Sequence, residues 1–305
     1  MTEIKISVII PTYNAEAYLP KLLASLSKQT VPFELIIIDS TSNDRTLAIA
    51  SKYTDHIITI PQEEFDHGGT RTKAAQAASG DILVFLTQDA LPVNENTLQT
   101  VVNTFKDFEI GAAYGRQLPY PDTTLFGKHL RYFNYGDTAY IRHKKDIAQY
   151  GLKTAFLSDS FAAYRKSTLQ EIGWFKNGLI LGEDTYAGAK IILLGHKLSY
   201  VANAQVYHSH SYTIAEEFKR YFDIGVFHSR EKWILDSFGK AEGEGIRYIR
   251  SEFKYLLSKG AWYLAPEFIF RNMMKYLGYK FGQHYKQFPT GVIKKLSMHH
   301  RWWDK

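Results

Sequence analysis

Short apolar runs alternate with amphipathic stretches along the N-terminal part of the chain. Lys5–Ile10 and Ile82–Leu86 are nearly continuous apolar runs, which is typical of strands buried on both faces. Between them, leucines recur at helical spacing in Glu16–Gln29 and predict an amphipathic helix. Strand and helix predictions then alternate at Leu35–Ile38, Thr46–Tyr53, His56–Ile60 and Thr70–Ser79. The alternation predicts an α/β, Rossmann-like fold with a mainly parallel sheet flanked by helices and a ligand crevice at the carboxyl ends of its strands.

The pattern becomes less regular in the second part of the chain. It predicts helices over Asn94–Phe108 and Asp184–Leu194, and strands over Ala112–Arg116, Phe156–Tyr164, Leu198–Val201 and Gln205–Tyr207. Residues 119–150 form a long polar and aromatic excursion, and the chain turns helical and basic after Thr213. We therefore predict a core domain over residues 1–212 and a basic, aromatic-rich helical region over residues 213–305.

Composition narrows the chemistry that the chain can perform. Its 305 residues include no cysteine, so disulfides, thiolate metal sites and cysteine nucleophiles are excluded, and carboxylate, imidazole or substrate oxygen must hold any metal. Residues 240–305 carry 13 Lys and Arg against 5 Asp and Glu. Charged residues interrupt the most apolar candidate for a membrane span, Trp262–Tyr279, and no secretory signal is recognised. We expect a cytoplasmic protein, held at a membrane surface by this basic end.

Polar residues follow the first two predicted strands. The turn Pro11-Thr12-Tyr13-Asn14 offers a hydroxyl, an aromatic ring and an amide for a base or sugar, although a plain turn is an equal alternative. Asp39 follows the second strand, where a carboxylate can accept a hydrogen bond from a base or ribose. Helix capping is the alternative, and it suits Ser42, Asn43 or Asp44 better than Asp39.

Two later loops carry groups for phosphate and metal. Phe65–Arg71 contains a glycine pair before a helix, so that backbone N–H groups and Arg71 predict an anion site, with a simple turn as the alternative. Asp89 follows the most apolar strand and needs a partner there. A divalent cation bridging to a diphosphate is one such partner, and a salt bridge or helix cap is the other.

Two downstream clusters carry further acids and imidazoles. Glu183 and Asp184 begin a predicted helix, whose dipole is expected to lower the pKa of Asp184 and so to favour a base over an acid, with capping as the alternative. His208 and His210 lie two residues apart after a short strand. With Asp89 they form a candidate metal site, although an isolated histidine is more often structural.

Together these segments resemble the family 2 glycosyltransferases. The segments SVIIPTYN (Ser7–Asn14), IIIDSTSNDRT (Ile36–Thr46), ILVFLTQDA (Ile82–Ala90) and LGED (Leu181–Asp184) occur in the family's order and at roughly its spacing. The resemblance covers about residues 5–210. It implies the A-type nucleotide-diphospho-sugar transferase fold and a reaction that inverts the anomeric centre. The C-terminal helical extension is predicted from the sequence pattern alone, since the chain beyond residue 210 matches nothing specific.

Within the family, two segments resemble bacterial rhamnosyltransferases that build O-antigen or cell-wall polysaccharide from dTDP-L-rhamnose. These are FDHGGTR (Phe65–Arg71) and FLTQDALP (Phe85–Pro92). A UDP-sugar such as UDP-N-acetylglucosamine or UDP-galactose is the alternative donor. A non-catalytic nucleotide-binding scaffold is the alternative from another class of protein.

The resemblance implies a donor site at the first strand ends. Thr12 and Tyr13, after Pro11, would hold the pyrimidine base, with Asp39 accepting from its ring N–H. Arg71 would contact the diphosphate, and Asp159 would line the sugar pocket.

The resemblance also implies a metal and a catalytic base. The family usually has Asp-x-Asp after the fourth strand, whereas Thr87, Gln88 and Asp89 stand here. Asp89 would therefore be the main protein ligand of Mg²⁺ or Mn²⁺, completed by His208 or His210. Asp184 would deprotonate the acceptor hydroxyl, and Glu183 would orient it or act as a second acid.

The basic end of the chain is expected to bind a membrane surface. Acceptors for polysaccharide synthesis in this family are commonly lipid-linked, and residues 240–305 interleave 13 basic residues with 14 aromatic ones. We expect attachment to the cytoplasmic face of the inner membrane. The alternative is that the aromatics pack the helices onto the catalytic domain. No nucleic-acid motif accompanies the charge, so no nucleic-acid partner is expected.

Overall fold

The computed structural model describes residues 4–239 and 242–304 of the chain. Its contacts divide these residues into two compact units. The first unit comprises residues 4–120, 135–178 and 183–208, and the second comprises residues 121–134, 179–182 and 209–304 within the described ranges. The predicted domain boundary after residue 212 stays a prediction, and each unit is described here by itself.

The first unit contains a sheet of nine strands. In chain order these are β1 (Ile6–Thr12), β2 (Glu34–Asp39), β3 (Ile57–Thr59), β4 (Ile82–Leu86), β5 (Leu91–Pro92), β6 (Ile110–Leu118), β7 (Tyr140–Arg142), β8 (Phe161–Arg165) and β9 (Lys197–Tyr207). The order across the sheet is β3-β2-β1-β4-β8-β6-β9-β5, and β7 pairs with β9.

One half of the sheet is parallel and the other half is mixed. β3, β2, β1 and β4 pair in parallel, as predicted, and the register sets Thr12 beside Asp39 at the carboxyl ends of β1 and β2. β8 runs antiparallel to both β4 and β6, while β6 and β9 are parallel. The prediction of a mainly parallel sheet thus holds for the first half, because the apolar pattern of a strand does not encode its direction.

Thirteen helices accompany the sheet in the described residues. They are α1 (Leu19–Leu26), α2 (Thr46–Ala50), α3 (His67–Ala77), α4 (Thr97–Val102), α5 (Leu125–Asn134), α6 (Ile147–Tyr150), α7 (Lys166–Glu171), α8 (Glu183–Leu193), α9 (Ile214–Arg230), α10 (Lys232–Phe238), α11 (Glu242–Ser258), α12 (Ala265–Gln283) and α13 (Thr290–Leu296). α5 and α9 to α13 belong to the second unit.

The core of the first unit forms where helices cover the parallel strands. The four leucines of α1 are buried in one cluster with Val8, Ile10 and Val84 of the sheet. These leucines predicted the helix from the sequence, because their spacing places them on one face. Burying such side chains contributes about 1.5–3 kcal/mol each, so the helix is held mainly by this face.

Several element boundaries differ from the prediction. α3 begins at His67, three residues early, because Asp66 Oδ1 accepts from Gly69 N at 2.7 Å and places the glycine pair inside the first turn. The strand predicted from Phe156 begins at Phe161. The two strands predicted after Leu198 form one strand, β9, whose pairing with β6 shifts register between Gly115 and Arg116.

The second unit consists of helices, as predicted for the chain beyond Thr213. It also contains α5, which lies within residues 119–150, where no element was predicted. Inside this unit, Arg271 and Lys275 of α12 are buried and pair with Glu217 of α9 at 3.0 and 3.4 Å. Within the described ranges we find no helix whose length and apolar content would suffice to span a membrane.

Candidate active site

The loops after β1 and β2 are joined through Asp39. Its buried carboxylate accepts from Thr12 Oγ1 at 2.8 Å and from the backbone N–H and the hydroxyl of Ser42 at 2.8 and 2.6 Å. Asp39 therefore holds the loop that follows β2 in place. The role of Asp39 toward a base stays a prediction.

Backbone strain is stored in the same two loops. Asn14 has φ 47° and Thr41 has φ 57°, in the left-handed region that non-glycine residues rarely adopt. Asn14 N donates to Ser42 Oγ at 2.8 Å, and Thr41 Oγ1 donates to Ile60 O at 2.7 Å. Such residues cluster at ligand sites, where the surrounding contacts hold the loop in one shape. Tyr13, next to Asn14, is 38% exposed and presents its ring for stacking.

The loop after β4 is tied to the loop after β1. Gln88 accepts from Tyr13 N at 2.9 Å and donates to Tyr13 O at 3.3 Å, so its amide holds the two strand ends together. The hydroxyls of Thr87 and Ser40 are buried and have no hydrogen-bond partner within the part of the chain that the structure describes. Buried polar atoms of this kind call for a polar partner, so this strand edge is suited to a polar ligand.

Asp89 and His208 form a carboxylate–imidazole pair. His208 Nε2 lies 3.5 Å from Asp89 Oδ2, and His208 Nδ1 lies 2.8 Å from Gln117 Oε1. Since a carbonyl oxygen only accepts, Nδ1 carries the proton, and Nε2 carries the lone pair that a metal ion would need. A separation of 3.5 Å fits two ligands that each lie about 2.1 Å from one cation. The pair thus fits a divalent cation. His210 follows two residues later, in the second unit.

A cluster of three acids surrounds Arg71. Its Nε lies 3.3 Å from Asp159 Oδ2 and its Nη1 lies 3.0 Å from Glu183 Oε1. Asp159 N donates to Asp184 Oδ2 at 3.4 Å, so the predicted base and the residue predicted to line the sugar pocket are neighbours. Burial acts to lower the pKa of Arg71, but the charges of Glu183 and Asp159 outweigh it and raise that pKa. The positive charge of Arg71 thus interacts with the carboxylates of Glu183, Asp159 and Asp184.

The prediction that the helix dipole lowers the pKa of Asp184 is wrong. Asp184 lies in the first turn of α8 and accepts from Thr185 N at 2.6 Å, as a dipole argument requires. Its carboxyl group is nevertheless enclosed by protein atoms, and this burial, followed by repulsion from Glu183, raises its pKa to about 6. The residue as a whole is only half-buried. A pKa near 6 suits a general base at neutral pH.

Sequence reasoning missed the residues that hold these groups in place. Tyr164 donates to Asp159 Oδ1 at 2.5 Å, and burial and the charge of Asp159 raise the pKa of Tyr164 well above its usual value. Burial also raises the pKa of Asp159, with Arg71 opposing the shift. Gln117 orients His208. The contact between Gln117 and His208 joins residues that are far apart in the sequence. Tyr164 follows Asp159 by only five positions, across the start of β8.

The half-parallel sheet with acids and imidazole at its strand ends is that of an A-type glycosyltransferase. The mannosyltransferase PcManGT from Pyrobaculum calidifontis, in complex with GDP-Man and Mn²⁺, has this fold, with a TM-score of 0.60, 16% identity and coverage of 100% of this chain and 86% of that chain. S. aureus TarS 1-349 in complex with UDP-GlcNAc gives a TM-score of 0.55 at 20% identity, covering 93% and 92%.

The chain belongs to the family described as Glycosyl transferase family 2, which matches residues 7–173. It is 46% identical over 301 residues to the O-antigen chain rhamnosyltransferase WbaN of Salmonella anatum, covering 98% of this chain and 95% of that protein. It is 43% identical over 303 residues to the O-antigen chain rhamnosyltransferase RfbN of Salmonella typhimurium, covering 98% and 96%. The family predicted from the sequence motifs is thereby confirmed.

Proposed function

We propose that this glycosyltransferase transfers L-rhamnose from dTDP-L-rhamnose to a lipid-linked saccharide of a growing O-antigen, at the cytoplasmic face of the cell membrane. The observation that carries the proposal is the 46% identity to an O-antigen chain rhamnosyltransferase over 98% of this chain. The matched region spans the helical unit as well as the sheet. A match over nearly the whole chain supports a similar acceptor as well as a similar fold.

The donor site in this proposal lies at the carboxyl ends of β1, β2 and β4. Pro11, Thr12 and Tyr13 border the base, and Asp39 accepts from its ring N–H. The strained loops at Asn14 and the hydroxyl of Thr87 support a polar ligand at this edge. Gln88 acts by holding the Tyr13 backbone.

A divalent cation, Mg²⁺ or Mn²⁺, completes the donor site in the proposal. Asp89 and His208 would hold it, with His210 two residues further along the chain as a third ligand. When bound, a cation of this type neutralises the charge that develops on a departing diphosphate. Gln117 fixes the imidazole of His208, so that its coordinating nitrogen is already directed before the metal binds.

The acid cluster performs the proton transfer. The acceptor hydroxyl oxygen forms a bond to the anomeric carbon as the bond from that carbon to the diphosphate oxygen breaks, which inverts the centre. Asp184 takes the hydroxyl proton, and its raised pKa makes it an effective acceptor at neutral pH. The backbone N–H of Asp159 holds Asp184 in place, and Arg71 holds both Asp159 and Glu183. Arg71 stays a predicted ligand of the diphosphate, and Asp159 a predicted wall of the sugar pocket.

A donor panel tests the proposal. Purified full-length protein with Mn²⁺ and membranes bearing the lipid-linked acceptor is offered dTDP-L-rhamnose, UDP-N-acetylglucosamine or UDP-galactose, each radiolabelled in the sugar. We expect transfer from dTDP-L-rhamnose alone. Asp184→Asn should lower the rate by at least about a hundredfold, whereas Asn103→Asp, at an exposed position directly after α4, leaves it unchanged. Transfer from a UDP-sugar instead, or transfer at the parental rate by Asp184→Asn, would refute the donor or the base respectively.

A further inference from the structure

Helix α11 carries two apolar faces, and only one of them is buried. Tyr248 and Leu256 point into the second unit, where both are buried. Ile249, Phe253 and Leu257 lie on another side of the helix, at spacings of four residues, and are 40%, 42% and 49% exposed. Residues at this spacing form one stripe along a helix. The second stripe is therefore an apolar surface presented to the surroundings.

Further exposed apolar side chains lie in the turn after α11 and on α12. Trp262 stands in the turn with 72% of its surface exposed, and Ile269 and Met273, one helical turn apart on α12, are 64% and 45% exposed. The rings of Phe253 and Phe268 lie 5.5 Å apart, which brings the α11 stripe beside α12 next to Ile269. We call these residues the α11/α12 face, defined by Ile249, Phe253, Leu257, Trp262, Ile269 and Met273.

Positive charge lies along this face. Arg250 and Lys254 are exposed and each follows directly after a residue of the apolar stripe on α11. By contrast, Arg271 and Lys275 of α12 are buried in ion pairs with Glu217, so they contribute little to the external field. The exposed surface thus combines apolar side chains with a border of unburied cations.

We propose that the α11/α12 face lies in the headgroup region of an anionic phospholipid bilayer. An apolar stripe beside Lys and Arg, with Trp262 at its end, is the composition of a helix that rests in the plane of an interface. Apolar side chains enter the acyl boundary, and each basic residue near an anionic surface contributes attraction. The helices lie on the membrane and do not cross it.

A second copy of the chain fits this face less well. Like charges that are brought together across an interface between proteins repel each other. In a two-fold symmetric contact through α11, the Arg250 and Lys254 side chains of both copies would be brought together. Anionic lipid headgroups, in contrast, neutralise these cations. The charge of Arg250 and Lys254 therefore favours an anionic membrane, and not a second copy of the chain, as the partner of the α11/α12 face.

This inference rests on the proposed function for the reason why the enzyme visits a membrane, namely a lipid-linked acceptor. Its test uses neither donor nor acceptor. Full-length protein is floated with vesicles of phosphatidylcholine alone or with about one-third phosphatidylglycerol, at about 0.1 M and about 0.5 M salt. We expect binding to the anionic vesicles, and weaker binding at the higher salt concentration.

Three variants separate the contributions to binding. Phe253→Ser combined with Trp262→Ser should lower vesicle affinity by at least about tenfold, since two exposed apolar side chains are removed. Arg250→Gln combined with Lys254→Gln should lower it by about fivefold per residue on anionic vesicles only. The matched control is Phe108→Ser, because Phe108 is 82% exposed in the first unit and should leave affinity unchanged.

The outcomes distinguish this inference from the proposed function. Equal binding by the wild type and the Phe253/Trp262 variant overturns the inference. So does a wild-type dimer, seen by light scattering, that the same variant converts to monomer while neither protein binds vesicles. Vesicle binding that depends on the face, in a protein that transfers no rhamnose, overturns the proposed function alone.

Discussion

At the scale of single residues, Asp184 shows how burial can outweigh a helix dipole. A dipole contributes about 0.3–1 kcal/mol to a charged group at an exposed helix end. Enclosing a carboxylate away from water disfavours its charged form by more than that, and here the pKa of Asp184 rises to about 6. The sequence places Asp184 in a first helical turn but does not reveal that Arg71, Glu183 and Asp159 enclose it.

The raised pKa predicts the pH dependence of catalysis. Because Asp184 must be ionised to accept a proton, kcat/KM should fall about tenfold per pH unit below about pH 6 and level off above it. Glu183→Gln removes the repulsion that ranks second among the causes, so the pKa of Asp184 decreases and the acid limb moves to lower pH. Initial rates at low substrate between about pH 5 and pH 8 measure both profiles.

The control for this measurement is Glu63→Gln, which removes an exposed carboxylate of the same unit and should leave the acid limb in place. An acid limb that stays unchanged in Glu183→Gln, or that moves to higher pH, would contradict the assignment of the limb to Asp184.

Arg71 and Arg45 allow a comparison of buried and exposed ion pairs. The Arg71 side chain is 7% exposed and has two acidic partners, whereas the Arg45 side chain is 81% exposed and pairs with Glu16 at 3.2 Å. Arg71→Met leaves Asp159 and Glu183 buried without their cation, so the free energy of unfolding should decrease by about 3–5 kcal/mol. Arg45→Met should change it by less than about 1 kcal/mol. Urea denaturation measures both, and similar losses would show that the Arg71 cluster adds little stability.

The sequence identified the candidate reactive groups of the site more easily than the residues that position them. Asp89 and His208 were named from the sequence because each residue type follows a strand at the predicted ligand edge. Gln117 and Tyr164 were not, because an amide or phenol on a strand has no distinctive pattern until its partner is known. Supporting contacts are formed by tertiary structure, which spacing along the chain does not report.

At the scale of elements, the hydrophobic pattern predicted strands better than helices whose buried side carries polar residues. β4 has the predicted bounds, Ile82–Leu86, because all of its residues are apolar and buried. α5 was missed since the side of this helix that is buried includes His129 and Arg131. His129 Nε2 lies 3.0 Å from Ser251 Oγ of α11, so a polar contact occupies a position where the pattern requires an apolar residue.

Close packing between α9 and α12 depends on glycine. A Cβ on Gly278 would lie 2.4 Å from the carbonyl oxygen of Phe218, and that oxygen belongs to the backbone of α9. Gly278→Ala should therefore push the helices apart and lower the free energy of unfolding by about 1–3 kcal/mol. Thermal unfolding followed by circular dichroism measures the loss as a lower Tm.

Gly245→Ala is the matched control, because Gly245 also lies within a helix but a Cβ there meets no atom within 4 Å. Alanine should stabilise that position by about 0.5–1 kcal/mol through its higher helix propensity. Equal Tm values for the two variants would show that α9 and α12 adjust to the added methyl group.

At the scale of the molecule, the two units are not successive in the chain. Residues 121–134 leave the sheet after β6 and join the helical unit as α5, and the chain then returns to the sheet. The sequence pattern predicted a single boundary after residue 212, because the pattern shows only where helical periodicity begins along the chain. Contacts made by a segment that crosses to another unit and back are visible only in three dimensions.

This interleaving limits how the protein can change over evolutionary time. A recombination event after codon 212 would deliver α9 to α13 without α5, which packs on α11 and contributes Phe126 to the same apolar cluster as Leu256. The helical unit therefore cannot be exchanged as a cassette between glycosyltransferases. Changes in α5 and in the C-terminal helices have to be inherited together, so substitutions in these two distant stretches should covary among descendants.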